Sequence, residues 1–529
     1  MRDELLFVRP NLTIEGLVDR FYAWTHLIPP ATAANNLVNL HLPMMESYVL
    51  QPQVHAAAVA NPRMKGGFFI NHGGKRVDEI RALRETLRKE NAALIELAAA
   101  IKEVDELLRV QATGYDLTAL YAQIPAPLRG YVELAYDLNN HPSFRFIEPA
   151  LYRSRFHRDQ RQSVDLFLDD GSERPFILST PRLPQDGHLQ LPLPLRHKGI
   201  DELFAARRVP KSFPEISEAL EIDDDESAER LRSYLTTQSW LPDDRHITSG
   251  ARIRYFGHAC LVIQSPSASI IVDPFISGNT CAADDRFTYV DLPDHIDFCL
   301  ITHGHQDHIV LETLLQLRGR TDLVVVPRNG GGSLQDPSLR LLLESIGFTV
   351  REVDDFDSLE FDGGEIVATP FLGEHADLDI RGKSTYWVRI GDKRIFLDAD
   401  SSGIEPELYG HTAEVVGAAD IAFLGMECDG APLTWLYGGL FMQPVSRKMS
   451  ITRKLSGSNA VQASGIVEKL GCAEAYVYAM GEESWLQHIM ATSYTPESYQ
   501  LKQVAEFLDS CADRGIKAEH LLIRKEFRW

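Results

Sequence analysis

Three imidazoles and one carboxylate fall within six consecutive residues, His303-Gly304-His305-Gln306-Asp307-His308, directly after the apolar run Ile296-Asp297-Phe298-Cys299-Leu300. A strand that ends in so many nitrogen and oxygen donors leaves few folds open, because the loop must meet further donors carried by distant segments. Alternation along an extended loop points His303 and His305 to one side, and the next turn carries Asp307 and His308 to a neighbouring point. The spacing reads as half of a two-metal site, with one ion on each pair.

A two-metal site needs roughly six protein donors, one of them able to bridge ions ~3.5–4 Å apart. Two more strand-to-loop junctions offer them. Ile366-Val367-Ala368-Thr369-Pro370-Phe371 runs into Leu372-Gly373-Glu374-His375-Ala376-Asp377, and Arg394-Ile395-Phe396-Leu397 ends at Asp398-Ala399-Asp400. A carboxylate has two oxygens, so an Asp at the last junction is the natural bridge. A fourth apolar run, Asp420-Ile421-Ala422-Phe423-Leu424, leads to Glu427, placed to hydrogen-bond the cluster from outside. Further short β-rich runs are expected over 252–264, 269–272, 298–302, 323–326, 386–390 and 475–478, with a hairpin at Gly391-Asp392-Lys393.

The first half of the chain reads differently. Its clearest element is a helix over 77–110, in which Ile80, Leu83, Leu87, Leu94, Leu97, Ile101, Val104 and Leu108 recur at three- and four-residue steps. Such a seam fits packing within its own domain or a dimer-forming helix. With 529 residues the chain exceeds one ordinary domain, and the change of pattern predicts a division into 1–247 and 248–529. No apolar run approaches the ~20 residues that cross a bilayer. The six cysteines form no CxxC pair, which fits a reducing, cytoplasmic setting and argues against thiolate zinc. A net charge of −22 repels phosphate backbones and excludes nucleic acid as the expected partner.

With Phe256-Gly257-His258-Ala259-Cys260-Leu261 and Ile271-Val272-Asp273-Pro274-Phe275 ahead of the donor loop, the second half resembles the metallo-β-lactamase fold, an αββα sandwich with two metals at one edge. The resemblance implies that His303, His305 and a donor at the second junction hold one ion, that Asp307 and His308 hold the other, and that Asp400 bridges them. Two departures stand out. Glu374 sits beside His375 where one lone His is usual, and Ala479 stands where a last His is expected. Carboxylate in place of imidazole suits iron and oxygen chemistry better than zinc hydrolysis, and a lost ligand leaves a position for dioxygen.

The whole chain, with the runs Gly373-Glu374-His375-Ala376-Asp377 and Gly425-Met426-Glu427-Cys428-Asp429-Gly430, is similar to the family of the β-hydroxylase of chloramphenicol biosynthesis. That resemblance implies an antibiotic-pathway monooxygenase with two Fe ions in an oxo-bridged diiron cluster, using O2 and an external two-electron donor. It implies a metal set of His303, His305, Asp307, His308, Glu374 and Asp400, with Glu374, Asp400 and Glu427 catalytic and His375 a neighbour. The expected substrate is an amino acid tethered as a thioester to the phosphopantetheine of a nonribosomal peptide synthetase carrier domain. A homodimer is expected through a separate mixed α/β N-terminal domain that also caps the active site. Two basic groups, Arg447-Lys448 with Arg453-Lys454 and Arg207-Arg208 with Lys211, are candidates for docking an acidic carrier. The rivals are a dizinc hydrolase, with His375 as ligand, and a non-catalytic scaffold.

Overall fold

The computed structural model describes residues 4–171, 173–278, 285–492 and 494–529. Cys281 lies outside the described residues, and the other five cysteines are free thiols. None of the described helices is long and apolar enough to cross a membrane.

From Arg252 onward the chain builds two seven-stranded sheets. The first runs, edge to edge, 350–353, 321–327, 296–300, 269–272, 261–264, 252–255 and 525–528; the second runs 358–361, 364–369, 385–390, 393–397, 421–425, 474–478 and 517–520. One half of each is parallel, from 350–353 to 269–272 in the first and from 393–397 to 517–520 in the second, and the other half is antiparallel. Their facing sides interlock through Ile253, Ile263, Ile270, Leu300 and Val325 against Ile366, Val388, Ile395, Phe423 and Tyr476. Helices Glu407–Val416, Ala460–Leu470 and Tyr499–Asp513 cover the outside of the second sheet. Leu311–Leu317 and Leu339–Ser345 cover the first, giving the expected αββα sandwich. The predicted hairpin is present, with Ile390 facing Lys393 and Gly391 left-handed at φ 60°.

The N-terminal part is also mixed α/β. Its four-stranded sheet pairs Leu12–Val18 with Gln162–Leu168, a register spanning some 150 residues of chain, Leu12 opposite Leu168. This sheet lies on helix Leu311–Leu317, all seven residues of which are buried. The expected single helix over 77–110 is two helices, Val77–Glu90 and Ala92–Gln111, broken at Asn91 with φ −102° and ψ 25°. The Asn91 side-chain amide donates to Asp19 Oδ1 at 3.1 Å, while its backbone N–H still donates to the Leu87 carbonyl at 3.0 Å. Ile80, Leu87, Leu94, Leu97, Ile101, Val104 and Leu108 are all buried in a core that also takes in residues of the second half such as Leu433 and Leu436, so the apolar seam is consumed internally.

A buried charge cluster pins the two parts together. Arg174 bridges Glu15 at 2.7 Å and Glu312 at 2.9 Å, and Tyr22 donates to Glu312 at 3.2 Å. Burial alone would raise the Glu15 pKa, but Arg182 and Arg174 hold it down to about 2. His488 belongs here, 3.1 Å from Arg174 and edge-on to Phe275.

Because Ile101 is fully buried in a core confined to one chain, Ile101→Ala should cost about 2–5 kcal/mol in denaturant unfolding, with a midpoint independent of protein concentration. Loss of self-association with unchanged unfolding would contradict internal packing.

Candidate metal centre

Every donor segment leaves its sheet at the same end. The loops after 296–300, 364–369, 393–397, 421–425 and 474–478 converge there, joined by Asp273 after 269–272 and by the turn 256–260. Parallel strands put all their carboxyl ends on one edge, which is why three remote sequence junctions meet. Two groups of ligand atoms result, His303 with His305, Glu374 and His375, and His258 with Asp307 and His308; His303, His308 and Asp400 link them.

The imidazole nitrogens are oriented from behind. Asp273, fully buried, accepts the Thr302 backbone N–H at 2.8 Å, the Thr302 hydroxyl at 2.6 Å and His308 Nδ1–H at 2.8 Å. The Thr302 hydroxyl, having donated to Asp273, accepts from His303 Nδ1–H at 3.0 Å. Both rings thereby turn Nε2 towards the cluster. His305 is reversed: its Nε2–H donates to the Tyr437 hydroxyl at 2.9 Å, and its Nδ1 lies 3.0 Å from His303 Nε2 and 3.2 Å from Glu374 Oε1. Asp400 Oδ2 is 3.0 Å from His308 Nε2 and 3.8 Å from His303 Nε2, between the two groups as a bridge requires. Its approach depends on Gly425, where a Cβ would lie 2.2 Å from the Ala399 carbonyl and 2.9 Å from Asp400 Oδ1.

Glu374 and His375 both reach the first group. The His375 Nδ1–H, however, faces Glu374 Oε2 at 3.0 Å and the Gly373 carbonyl at 3.3 Å, which ties the ring to its neighbours. Glu427 is half-buried beside the cluster and accepts from the Tyr494 hydroxyl at 3.1 Å. Burial first, then the negative charges of Asp400 and Asp307, push its pKa up to about 8; bound cations would reverse that electrostatic part.

Backbone strain gathers at this edge. Of sixteen left-handed non-glycine residues among the described ones, seven surround the site: His258, Asp273, Glu374, Ala376, Asp377, Ala399 and Ala479. Each costs of order 1–3 kcal/mol and is held only by the surrounding structure. The N-terminal domain contributes directly, since the Thr25 hydroxyl donates to the Gly304 carbonyl inside the donor loop at 2.7 Å. It also walls a cavity of about 850 Å³, in which Phe144 and Phe146 face Leu334, Leu378 and Phe441, with Tyr437 among the lining residues.

The six residues expected from sequence thus come together with Glu427 beside them. Sequence reasoning passed over Asp273, His258 and Tyr437. The first two stand in the quoted runs around 257 and 273, but only their convergence shows a role; Tyr437 carries no local signal. Of the two basic groups, one is not a surface. Arg207 is buried and donates to the Leu12 carbonyl and to Gln316, Arg208 donates to the Asp294 carbonyl, and Lys211 pairs with Glu202. Arg207 and Arg208 reach segments of the second half, Gln316 and Asp294, while Lys211 is taken up within its own part.

The donors gathered here, five imidazoles (His258, His303, His305, His308 and His375) and three carboxylates (Asp307, Glu374 and Asp400), fit two hard-to-borderline ions such as iron. Comparison with known proteins gives the same answer. Residues 7–239 match the model of the diiron non-heme β-hydroxylase N-terminal domain, and residues 252–400 match a β-lactamase superfamily domain. The 4-amino-L-phenylalanyl-[CmlP-peptidyl-carrier-protein] 3-hydroxylase of Streptomyces venezuelae is 36% identical over 98% of this chain and 99% of its own. The crystal structure of CmlA, a diiron β-hydroxylase from Streptomyces venezuelae, superposes over 100% of both chains with a TM-score of 0.93 at 36% identity. A UPF0173 metal-dependent hydrolase of Methanopyrus kandleri is 28% identical over 30% of this chain and 69% of its own.

Asp273→Asn keeps the shape of the side chain but removes the carboxylate that orients two imidazoles. Iron affinity should fall roughly 10- to 100-fold in chelator competition, with the fold retained by circular dichroism. Unchanged affinity would show that the rings are set by something else.

Proposed function

The chain belongs to the diiron non-heme β-hydroxylases, and from that premise we propose that it hydroxylates the β-carbon of an amino acid held as a thioester on a nonribosomal peptide synthetase carrier domain. The observation that carries the reading is a set of imidazoles and carboxylates at the fold's metal edge, Glu374 among them, adjoining a cavity walled by both parts of the chain. The proposed ligands are His303, His305 and Glu374 for one iron and Asp307 and His308 for the other, with Asp400 between them and His375 left as a neighbour. When bound, the irons supply the dioxygen activation and redox chemistry.

The chain's own residues do the rest. The aromatic and aliphatic walls take the apolar part of the tethered substrate and exclude water, and Tyr437 joins that wall to His305. Glu427 and Tyr494 form a proton-holding pair beside the bridge carboxylate. In this reading residues 1–247 cap the site and residues 248–529 carry the chemistry. A cytoplasmic setting and a homodimer remain part of the proposal, the latter without the internal helix seam.

For the carrier we propose the helix Arg447–Thr452. Arg447, Lys448, Met449 and Ile451 are exposed on it, and neither cation makes an ion pair among the described residues. Phe441 and Met442, just before it, line the cavity; just after it, Leu455–Ser456 pairs with Glu374–His375, and Arg453 donates to the Ala376 carbonyl at 2.8 Å. A basic and apolar face at that place suits an acidic partner delivering a long arm.

Iron-loaded protein given reductant, O2 and aminoacyl-loaded carrier should add one oxygen atom to the aminoacyl group and leave the free amino acid untouched. Oxygen-independent thioester hydrolysis would overturn the proposal. The double change R447E/K448E should raise KM for the loaded carrier about tenfold, the equivalent of ~1.4 kcal/mol, with kcat kept and the effect shrinking at high salt. An unchanged KM would remove this helix as the docking face.

A further inference from the structure

We propose that His258 is a metal ligand, its Nε2 completing the shell of the ion held by Asp307 and His308 in the place that the fold ordinarily gives to an imidazole at position 479. The inference rests on the diiron reading and adds a residue to it.

Ala479 ends strand Glu474–Tyr478, and its backbone N–H donates to the His258 carbonyl at 2.7 Å. The residue that lacks an imidazole is therefore clasped to one that has it. His258 is 1% exposed and lies in the turn between strands Arg252–Tyr255 and Leu261–Gln264, at a left-handed φ of 49°. Glu483 accepts its backbone N–H at 3.1 Å and also the Tyr255 hydroxyl, which anchors the turn from behind. The ring packs against His308 with centroids 5.0 Å apart and meets Phe275 edge-on, so its direction is fixed.

Its Nε2 lies 3.2 Å from Asp307 Oδ2, within the group that also includes His308. The pair is close, yet neither ring nitrogen of His258 completes a well-aligned hydrogen bond. Asp307 Oδ2 and His308 Nε2 are its neighbours in that group, and His308 Nε2, a proposed ligand atom, shares the condition. A buried imidazole aimed with them at one point, near a carboxylate but not aligned on it, has the relation of two ligands of one ion rather than of donor and acceptor. The carboxylate-for-imidazole exchange at Glu374 would then be the real departure of this shell, and the loss at position 479 a relocation.

His258→Gly tests this directly, because glycine suits the left-handed backbone and leaves room for a free imidazole. Iron per chain should fall from two to about one, and added imidazole should restore the second without substrate or turnover. Two irons held as tightly as in the unaltered protein, or an iron loss that imidazole does not repair, would overturn the assignment. A crystal of the unaltered iron-loaded protein decides independently of folding: Nε2 within ~2.0–2.3 Å of iron supports it, and a distance beyond ~3 Å removes it. Zinc in place of iron in the unaltered protein would instead sink the diiron reading.

Discussion

The Asp273 carboxylate is the point on which the metal centre depends. It is fully buried, and its two oxygens hold the first residue of the donor loop, the hydroxyl that orients His303, and the far nitrogen of His308. A neutral imidazole presents one bare nitrogen, so fixing which nitrogen carries the proton decides whether the ring can bind a cation at all. Three acceptors, Asp273, Thr302 and Tyr437, make that choice for three rings in three different parts of the edge.

The same edge is where the backbone is least relaxed. Left-handed conformations at Glu374, Ala399 and Ala479 are bearable because the two sheets and their outer helices determine the strand ends on all sides. The N-terminal domain adds to this restraint through Thr25 and through the Glu15, Arg174 and Glu312 cluster beside the donor loop. The Methanopyrus kandleri hydrolase matches 30% of this chain, whereas the β-hydroxylase relative matches 98% of it.

Much of the centre was legible because donor side chains are rare at strand ends and cannot be explained by packing. His303 to His308 and the junctions at Glu374 and Asp400 were visible for that reason, and the apolar strands before them follow local periodicity. What was hidden depends on long-range contact. The pairing of Leu12–Val18 with Gln162–Leu168 has no local period to betray it. The two helices of 77–111 meet at Asn91, whose side chain is held by a partner 72 residues away. The cluster Arg207-Arg208-Lys211 looks like a surface patch until the domains meet over it. Asp273 and His258 stood in recognised runs, but a carboxylate or imidazole in a turn acquires a role only when the opposite loop is brought to it.

The most direct test of this account is the protonation pattern of the metal-free protein, read by nitrogen NMR with 15N-labelled histidine. The account predicts a neutral His303 with its proton on Nδ1 as a single tautomer, a proton held on Nδ1 of His308 by Asp273, and a proton held on Nε2 of His305 by Tyr437. A mixed tautomer or an Nε2 proton at His303, a bare Nδ1 at His308, or a bare Nε2 at His305 would contradict it.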